Sequence, residues 1–339
     1  MESTNAYLQN AKNKKYDEFY TTYETIEKEL AHYAGQLNGK TVFCNCDDPY
    51  ESNFCKFFIR NFQRYGLRRL ICTSYSGSPV VGGQLSLFDY MNPEKQGYVL
   101  DIRWTPDGKG DDEILTDEEI ADFLYTENVK KLIGSGDFRD TECEQLLKES
   151  DVVVTNPPFS LFRELVAMLE KYEKNYLLIG NMNALTYKEI FPLVQNNKAW
   201  LGYHNGDMSF RVPAESEPKK TRFWIDETGQ KWRSIGNAMW FTNLDVDYRH
   251  KLMNLTMAYD PEIHPSFDNY DAIYVPKVAD IPYDYSGIMA VPITIFTKYS
   301  PRQFKIVGEA NHGSDSPYDL FKPIINGVLK YKRILIQAV

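Results

Sequence analysis

The eight residues Val152–Phe159, Val-Val-Val-Thr-Asn-Pro-Pro-Phe, constrain the fold of this chain more than any other stretch. A β-branched apolar run such as Val152–Thr155 is typical of a strand that is buried on both faces of a parallel sheet. Pro157 and Pro158 then fix φ and lack N–H donors, so the backbone must leave the sheet as a stiff, extended hook. Open α/β sheets bind their ligands at this carboxyl end of the strands. The stretch therefore predicts an α/β fold with a ligand site that begins at Asn156.

The hook also predicts which chemical group it binds. The side-chain carbonyl of Asn156 and the main-chain carbonyl of Pro157 point the same way, and together they can accept both hydrogens of one planar NH₂ group. Accepting both hydrogens draws the nitrogen lone pair out of conjugation, so a poor nucleophile becomes reactive without a general base. Phe159 adds a flat face for stacking a ring, worth roughly 1–3 kcal/mol per base in single-strand binders. The predicted substrate is an exocyclic amine on an aromatic base, and the alternative is an ordinary strand-terminating turn.

The first informative stretch from the N-terminus contains an aromatic residue followed by hydroxyl residues. Tyr20 and Thr21 indicate an extended segment, and Thr21 or Thr22 is expected to cap the helix that follows. An amphipathic helix packed on the sheet explains the spacing of Ile26 and Leu30. It leaves the lead-in Tyr20-Thr21 unexplained, so these two residues are candidates for ligand contact.

An acidic turn follows the first predicted strand of the sheet, Thr41–Cys44. Ser52 is expected to cap a helix through about Phe62. Asp47 and Asp48 lie in the turn, where their carboxylates could bind a cationic amino group or a ribose hydroxyl; simple turn chemistry is the alternative. The glycine-rich turn that is usual in nucleotide-binding folds is missing here.

A second turn with a carboxylate follows the segment Lys131–Ile133. Its Gly-Asp-Phe sequence places Asp137 beside Phe138 at the predicted binding edge, again with an ordinary turn as the alternative. Before it, residues 75–130 form a long insertion after the strand Arg69–Thr73. The insertion is expected to contain a strand over Gly97–Trp104, a turn over Pro106–Gly110 and a helix over Asp117–Tyr125 that begins with a capping box at Thr116.

Alternation of helices and strands continues after the hook and ends near Asp245. Residues 207–235 are interpreted as an inserted hairpin in which Met208–Val212 and Arg222–Ile225 flank a polar loop. Residues 246–339 are rich in Pro, Tyr and Asp and are interpreted as a separate module. The remaining predicted elements are helices at Leu161–Tyr172 and Tyr187–Gln195 and strands at Tyr176–Gly180, Ala199–Tyr203, Ala238–Thr242, Ala290–Phe296, Phe304–Val307 and Arg333–Gln337.

Composition limits the class of protein. The chain of 339 residues carries a net charge of −9, which argues against a surface coated for nonspecific nucleic-acid binding but allows local basic patches. No apolar run approaches the ~18 residues of a membrane span, so a cytoplasmic protein is expected. The five cysteines lack a CxxC pair and are interpreted as reduced core residues, with a metal site at Cys44, Cys46 and Cys55 as a weak alternative. The basic clusters are Lys12, Lys14 and Lys15; Arg64, Arg68 and Arg69; Lys219, Lys220 and Arg222; and Lys330, Lys332 and Arg333.

The order of these motifs resembles that of the adenine-specific DNA methyltransferases of the EcoRI type. An aromatic-Tyr-Thr lead-in, an acidic turn, Gly-Asp-Phe, Asn-Pro-Pro-Phe and a C-terminal module follow one another over nearly the whole chain. Longer segments are similar to that family's own: Cys46–Phe54, Gly236–Asp245 and Tyr331–Ile336. The resemblance implies a Rossmann-like sheet of S-adenosylmethionine-dependent methyltransferases over residues 1–245, with β-rich insertions at about 75–130 and 207–235, and a target-recognition module over 246–339.

The resemblance also implies a reaction and a role for each candidate residue. It implies transfer of a methyl group from S-adenosylmethionine to the 6-amino group of an adenine that is flipped out of double-stranded DNA, with no metal required. It allows a GAATTC-like target, a monomer and a cognate restriction endonuclease that shares the target site. The implied catalytic residues are Asn156, Pro157, Pro158 and Phe159. The implied cofactor-binding residues are Tyr20, Thr21, Asp47, Asp48, Asp137, Phe138 and Asn156.

Three other functions stay open. A methyltransferase acting on RNA or on a protein glutamine would also carry the tetrad Asn156–Phe159. A catalytically silent nucleic-acid binder would keep the fold without the reaction. An α/β enzyme with another nucleotide cofactor would be expected to carry Gly-x-Gly-x-x-Gly, which this chain lacks.

Overall fold

The computed structural model describes residues 20–76, 96–106, 115–125, 129–212, 216, 218 and 220–339. The predicted turn over Pro106–Gly110 lies partly outside these residues, and so do both insertions. The basic residues Lys12, Lys14, Lys15 and Lys219 lie outside them. The fold is mixed α/β with several sheets. It divides into two compact units, one with the described residues up to Asn181 and His204–Leu244, the other with Met182–Tyr203 and Asp245–Val339.

The described helices and strands are numbered separately along the chain. The helices are α1 (Tyr23–Leu30), α2 (Ala34–Leu37), α3 (Asn53–Arg60), α4 (Asp117–Phe123), α5 (Thr141–Glu149), α6 (Phe162–Lys171) and α7 (Phe191–Gln195). The strands are β1 (Tyr20–Thr21), β2 (Thr41–Cys44), β3 (Arg69–Ser74), β4 (Tyr98–Ile102), β5 (Val129–Lys131), β6 (Val152–Thr155), β7 (Asn175–Asn181), β8 (Trp200–Leu201), β9 (Gly206–Arg211), β10 (Phe223–Ile225), β11 (Lys231–Thr242), β12 (Ile273–Tyr274), β13 (Met289–Val291), β14 (Phe304–Ala310), β15 (Asp319–Phe321), β16 (Ile324–Ile325), β17 (Val328–Leu329) and β18 (Arg333–Ala338).

The first unit is built on a mixed sheet with the strand order β1-β9-β11-β7-β6-β2-β3-β4-β5. The four strands β7, β6, β2 and β3 are parallel, and antiparallel strands lie on both sides of them. Every residue of β2, β3 and β6 is buried, which confirms the prediction of strands covered on both faces. Because the parallel strands share one direction, the turns after β2 and β6 lie at the same edge of the sheet.

Helix boundaries follow local capping chemistry. The side chain of Thr22 accepts a hydrogen bond from the backbone of Thr25, and Ser52 caps α3 in the same way, as predicted. The capping box at the start of α4 is also confirmed, with Thr116 and Glu119 as its partners. Helix α7 starts later than predicted, at Phe191 instead of Tyr187, and has a proline in its first turn, where a proline is well tolerated. Residues Met182–Thr186 before it form a 3-10 helix.

The predicted hairpin within residues 207–235 is wrong in its pairing. Both β9 and β10 pair antiparallel with β11, which extends over 12 residues into the central sheet. A register shift between Ile235 and Ala238 marks a β-bulge in this strand. A period-2 pattern shows which residues share a face, but it does not show which strand is the neighbour, so the sequence could not distinguish these pairings.

The second unit has a five-stranded sheet in the order β12-β13-β18-β14-β15 and a separate hairpin of β16 and β17. Its core includes a cluster around Ala290, Ala310 and Leu335. A domain boundary at 245/246, as expected from the sequence, leaves Met182–Tyr203 in the first domain, whereas the contacts of this segment place it in the second unit. That segment belongs here because, for example, the side chain of Gln195 donates hydrogen bonds to carbonyls of β14 at 3.1 and 3.3 Å.

The five cysteines are free thiols, and Cys46 is the one that is not fully buried. This confirms their interpretation as reduced residues of the interior. None of the described helices is long and apolar enough to cross a membrane.

Candidate active site

Asp47 connects the ends of the two central strands β2 and β6. Its carboxylate accepts a hydrogen bond from the hydroxyl of Thr155 at 2.5 Å and another from the hydroxyl of Ser52 at 2.7 Å. The backbone N–H of Asn156 bonds the same carboxylate. Only 6% of Asp47 is exposed. The side chain of Asp47 therefore fixes the position of the acidic turn relative to the hook of Asn156.

Burial raises the pKa of Asp47 to about 7, although the hydrogen bonds from Thr155, Ser52 and the backbone of Asn156 act in the opposite direction. The folded protein therefore retains this proton up to about pH 7, whereas the unfolded chain loses it near pH 4. The proton stabilises the folded state at low pH, and that contribution is lost as the pH rises through about 7.

We expect the Asp47→Asn variant to lose less stability than the wild type as the pH rises. Asparagine resembles the protonated carboxyl in shape and does not titrate in this range. Between about pH 5 and about pH 8 the difference in the free energy of unfolding between the two proteins should change by about 2 to 3 kcal/mol. Urea unfolding at both pH values measures it. A constant difference would show that Asp47 does not titrate in this window.

Thr155 donates one of the hydrogen bonds by which Asp47 connects β2 to β6. Replacing Thr155 tests how much this bond contributes to stability. The Thr155→Val variant keeps the shape of the side chain but leaves one oxygen of a buried carboxyl without its partner. We expect a loss of about 1 to 3 kcal/mol in the free energy of unfolding. Thr155→Ser keeps the hydroxyl and is the matched control, with a smaller loss expected in the same urea titration. Equal losses in the two variants would contradict a role of the hydroxyl.

Asn156 is anchored by Thr21, which lies 135 positions earlier in the chain. Its side-chain nitrogen Nδ2 donates a hydrogen bond to Thr21 Oγ1 at 3.2 Å. Thr21 is itself fixed, because its carbonyl accepts a hydrogen bond from Asn53 Nδ2 at 2.8 Å and its strand β1 pairs with β9. With Nδ2 directed at Thr21, the carbonyl oxygen Oδ1 lies in the same amide plane and points in a different direction. The N-terminal lead-in and the hook are thus in direct contact, which the sequence did not predict.

The hook has the extended start that its prolines predict. Pro158 has φ −52° and ψ 127°, and its carbonyl accepts a hydrogen bond from the backbone of Leu161 at 2.9 Å. Residues Phe159–Leu161 form a 3-10 helix that leads directly into α6. Pro157 is buried, whereas Asn156 and Phe159 are half-buried. The amide of Asn156 and the ring of Phe159 are therefore partly accessible to a ligand.

Asp48 shapes the acidic turn. Its carboxylate accepts hydrogen bonds from the backbone N–H groups of Tyr50 at 2.9 Å and Glu51 at 3.2 Å. Burial raises the pKa of Asp48, and these hydrogen bonds oppose the shift. Turn chemistry, the alternative interpretation of this residue, accounts for these contacts.

Asp137 and Phe138 follow a close approach between backbones. A Cβ on Gly136, which has φ +79°, would lie 2.0 Å from the carbonyl oxygen of Ser74 at the end of β3. This contact brings the Gly-Asp-Phe turn to the carboxyl ends of the parallel strands. Phe138 is buried, and the guanidinium of Arg139 lies 5.4 Å from the centroid of its ring.

The carboxylate of Asp137 is held by a cation. Arg139 donates to both of its oxygens, at 2.8 and 2.6 Å, and also bonds Glu164 at 2.9 Å. Burial raises the pKa of Asp137, but the hydrogen bonds from Arg139 outweigh it, so the net pKa is lowered. Arg139 is a site residue that sequence reasoning missed, although its position two residues after Asp137 was a usable signal.

Cys46 shows that the two turns converge. Burial raises the pKa of its thiol well above the ordinary value, and the negative charges of Asp47 and Asp137 act in the same direction. Both carboxylates are therefore within electrostatic range of one sulfur atom. Two of the predicted cofactor-binding residues, from turns 90 residues apart in the chain, meet at one edge of the sheet.

The groups at this edge fit a cationic ligand that carries an aromatic base. Carboxylates of the turns after β2 and β5 suit a positive charge, and Phe138, Phe159 and Tyr20 supply aromatic rings. Among the described residues, no group of three or more His, Cys, Asp or Glu side chains is arranged to hold a metal ion. Asn53 and Arg211 were also missed from the sequence; Arg211 bonds Glu51 of the acidic turn at 3.3 Å.

The chain is similar over nearly its whole length to known proteins. The family described as adenine-specific methyltransferase EcoRI matches residues 7–338. The type II methyltransferase M.EcoRI of Escherichia coli is 43% identical over 339 residues, covering 99% of this chain and 97% of that protein. M.MpnI of Mycoplasma pneumoniae is 35% identical over 307 residues, covering 89% of this chain and 85% of that protein.

M.MgeORF184P of Mycoplasma genitalium is 36% identical over 303 residues, covering 88% of this chain and 84% of that protein. No solved structure matches the chain. The family match spans the lead-in at Tyr20, the acidic turn, the Gly-Asp-Phe turn and the hook of Asn156, together with the second unit. The chain therefore belongs to the EcoRI family of adenine-specific methyltransferases.

Proposed function

We propose that this protein transfers a methyl group from S-adenosylmethionine to the 6-amino group of an adenine that is flipped out of duplex DNA. DNA adenine methylation is the activity of the family to which the chain belongs, with S-adenosylmethionine as methyl donor. The observation that carries the site assignment is the amide of Asn156. It is anchored by Thr21 at the carboxyl end of a buried parallel strand, beside the carboxylate that joins β2 to β6.

The hook activates the amine by accepting its hydrogens. Asn156 Oδ1 accepts one hydrogen of the adenine 6-amino group and the carbonyl of Pro157 accepts the other. The nitrogen lone pair then becomes available for attack on the electrophilic methyl group that S-adenosylmethionine would supply. As the carbon–nitrogen bond forms, the bond from the methyl carbon to the sulfonium sulfur would break, a neutral thioether would leave, and the methylated nitrogen would release one proton to solvent. Pro158 keeps the two acceptors in line, and Phe159 stacks on the adenine ring. Alignment of the bound reactants contributes several kcal/mol relative to a chance encounter, on the order of 7 or more.

The acidic and aromatic groups beside the hook hold the cofactor. Asp47 and Asp48 follow β2, the neighbour of β6, and the turn of Asp137 and Phe138 approaches the end of β3 next to it. Thr21, which follows Tyr20, contacts Asn156 itself. Asp48 suits the cationic amino group of S-adenosylmethionine, Asp47, which keeps its proton up to about pH 7, suits a ribose hydroxyl, and the turn of Asp137 and Phe138 suits the adenine. Asp47 is buried, and each of its oxygens already accepts a hydrogen bond from a hydroxyl group.

The target adenine must leave the helix to reach this site. Inside a duplex its amino group is stacked and paired, so extrusion of the base is required before the hook can accept its hydrogens. The run of parallel strands β7-β6-β2-β3 with antiparallel neighbours supports a Rossmann-like methyltransferase sheet. The second unit and the insertions at about 75–130 and 207–235 are the proposed target-recognition elements, with a GAATTC-like sequence as the first target to test.

The decisive experiment offers duplex DNA, RNA and protein in parallel with radiolabelled S-adenosylmethionine. Digestion of the product then identifies the methylated nucleoside or amino acid. Label on DNA adenine is the expected result, and sequencing of methylated genomic DNA then defines the target. Label only on RNA or on protein glutamine would keep the fold and the cofactor but overturn the substrate.

We further propose that the protein acts as a monomer in the cytoplasm and that a restriction endonuclease shares its target. A monomer suffices because one catalytic hook modifies one strand at a time. Light scattering during size-exclusion chromatography measures the mass of the free protein and of its complex with DNA. A dimer in either state would contradict the proposal.

A further inference from the structure

Four side chains on four neighbouring strands of the first unit lie in one row. Tyr20 on β1 lies opposite Arg211 on β9, Arg211 lies opposite Trp232 on β11, and Trp232 lies opposite Trp224 on β10. Residues that are directly opposite in antiparallel strands project from the same face of a sheet. The row crosses three strand spacings, about 14 Å. We call it the aromatic row.

The planar groups of the aromatic row form two pairs, one at each end. The guanidinium of Arg211 lies 5.2 Å from the centroid of the Tyr20 ring. The rings of Trp224 and Trp232 are stacked, with centroids 6.3 Å apart and planes inclined by 9°. Trp224 is 41% exposed, which is a large fraction for a tryptophan. One end of the row thus presents an indole ring to solvent.

The second tryptophan is held in place by a turn. The indole nitrogen of Trp232 donates a hydrogen bond to Asp226 Oδ2 at 2.7 Å. The other oxygen of Asp226 accepts hydrogen bonds from the backbone of Thr228 at 2.9 Å and Gln230 at 3.0 Å. The orientation of the ring is therefore set before any ligand arrives, so stacking on it requires little ordering of the protein.

The other end of the aromatic row lies at the candidate active site. Arg211 forms an ion pair with Glu51, a residue of the acidic turn after β2, at 3.3 Å. Tyr20 directly precedes Thr21, which anchors the catalytic amide of Asn156. The ion pair of Arg211 with Glu51 therefore connects the row to the acidic turn of the candidate active site.

The charge around the row suits a polyanion. The described residues 206–212 and 220–235 contain five basic side chains and three acidic ones, although the whole chain carries a net charge of −9. Flat rings next to basic groups are the combination with which proteins hold unpaired nucleotides, because every base offers a face for stacking and every phosphate a negative charge.

We propose that the aromatic row is a platform on which bases of the target strand beside the flipped adenine stack after they lose it as a stacking neighbour. The platform rests on the proposed function, since an extruded adenine leaves neighbouring bases partly unstacked. Trp224 supplies the outermost stacking face, Trp232 supports it, and Arg211 and Tyr20 lead towards the hook.

The test compares two neighbouring exposed residues of the same strand. Trp224→Ala removes the outer ring of the row, and Ile225→Ala is the matched control, because Ile225 is 55% exposed and projects from the opposite face. Fluorescence anisotropy measures the affinity of each variant for a short duplex that contains the site methylated by the wild type. We expect Trp224→Ala to bind about 5- to 150-fold more weakly. Ile225→Ala should change the affinity by less than about 2-fold, since it removes no stacking face.

Further measurements separate stacking from a structural role of the ring. S-adenosylmethionine affinity and melting temperature should stay unchanged in Trp224→Ala, and the dependence of DNA affinity on salt should keep its slope, because no phosphate contact is lost. Trp224→Phe keeps a ring and should restore most of the affinity even if the alanine variant is poorly folded. Equal affinity of Trp224→Ala and the wild type, or equal weakening by phenylalanine and alanine, would overturn the platform. If the wild type itself leaves DNA adenine unmethylated, the proposed function fails instead.

Discussion

Replacement of Asn156 by alanine is expected to lower the rate of methyl transfer to DNA adenine by about 1,000-fold or more. The variant loses the side-chain carbonyl that accepts one hydrogen of the amine, so the lone pair of the nitrogen stays conjugated with the ring. The residue is half-buried at the end of β6 and belongs to no hydrophobic cluster, so the fold should survive. Single-turnover assays with radiolabelled cofactor measure the chemical step directly.

Two controls show whether the loss is chemical. Calorimetry should find S-adenosylmethionine affinity in Asn156→Ala within a few-fold of the wild type, about 5-fold or less. Thr21→Val removes the hydroxyl that anchors the amide but keeps the acceptor itself, so it should lower the single-turnover rate by a smaller factor, about 10-fold. If Asn156→Ala transfers methyl groups at the rate of the wild type, the activation of the amine by this side chain is wrong.

Replacement of Gly136 by alanine is expected to have the largest effect on stability. The new Cβ would lie 2.0 Å from the carbonyl oxygen of Ser74 and 3.2 Å from the Cα of Gly97, and the backbone has φ +79°. Backbone atoms must move to relieve this overlap, so we expect a loss of about 3 kcal/mol or more in the free energy of unfolding. Because Asp137 and Phe138 come next in the chain, S-adenosylmethionine affinity should fall as well.

Gly35→Ala is the matched control for this substitution. No atom lies within 4 Å of a Cβ added at Gly35, and the residue lies in α2. Alanine is favoured over glycine in a helix by about 1 kcal/mol, so this variant should be as stable as the wild type or more stable. Urea unfolding compares the two. A Gly136→Ala variant that unfolds at the urea concentration of the wild type would show that the turn can shift without cost.

Local patterns in the sequence predicted the elements that carry the site. The strands Thr41–Cys44 and Val152–Thr155 form where predicted, because β-branched and apolar runs bounded by turn residues have few alternatives. The caps at Thr22, Ser52 and Thr116 also follow from residues three or fewer positions away. Helix caps and buried strands of this kind depend on residues that are neighbours in the sequence.

These local patterns could not predict contacts between segments that are far apart in the sequence. The sequence proposed Asp47 as a cofactor residue, but the hydrogen bonds that its carboxylate accepts from Thr155 and Ser52 depend on the neighbouring positions of β2 and β6. It placed β9 and β10 together, whereas both pair with β11. It also separated Met182–Tyr203 from the second unit.

The sequence by itself determined the chemistry that we propose, since Asn156, Pro157 and Phe159 offer amine acceptors and a stacking face through their own atoms. Tertiary structure alone decided which partners orient those atoms. Thr21 meets Asn156, and Tyr20, Arg211, Trp232 and Trp224 form one row, because strand register brings together residues up to 212 positions apart. Hydrophobic periodicity determines the face on which a residue lies, but only the pairing of strands in three dimensions determines its neighbours.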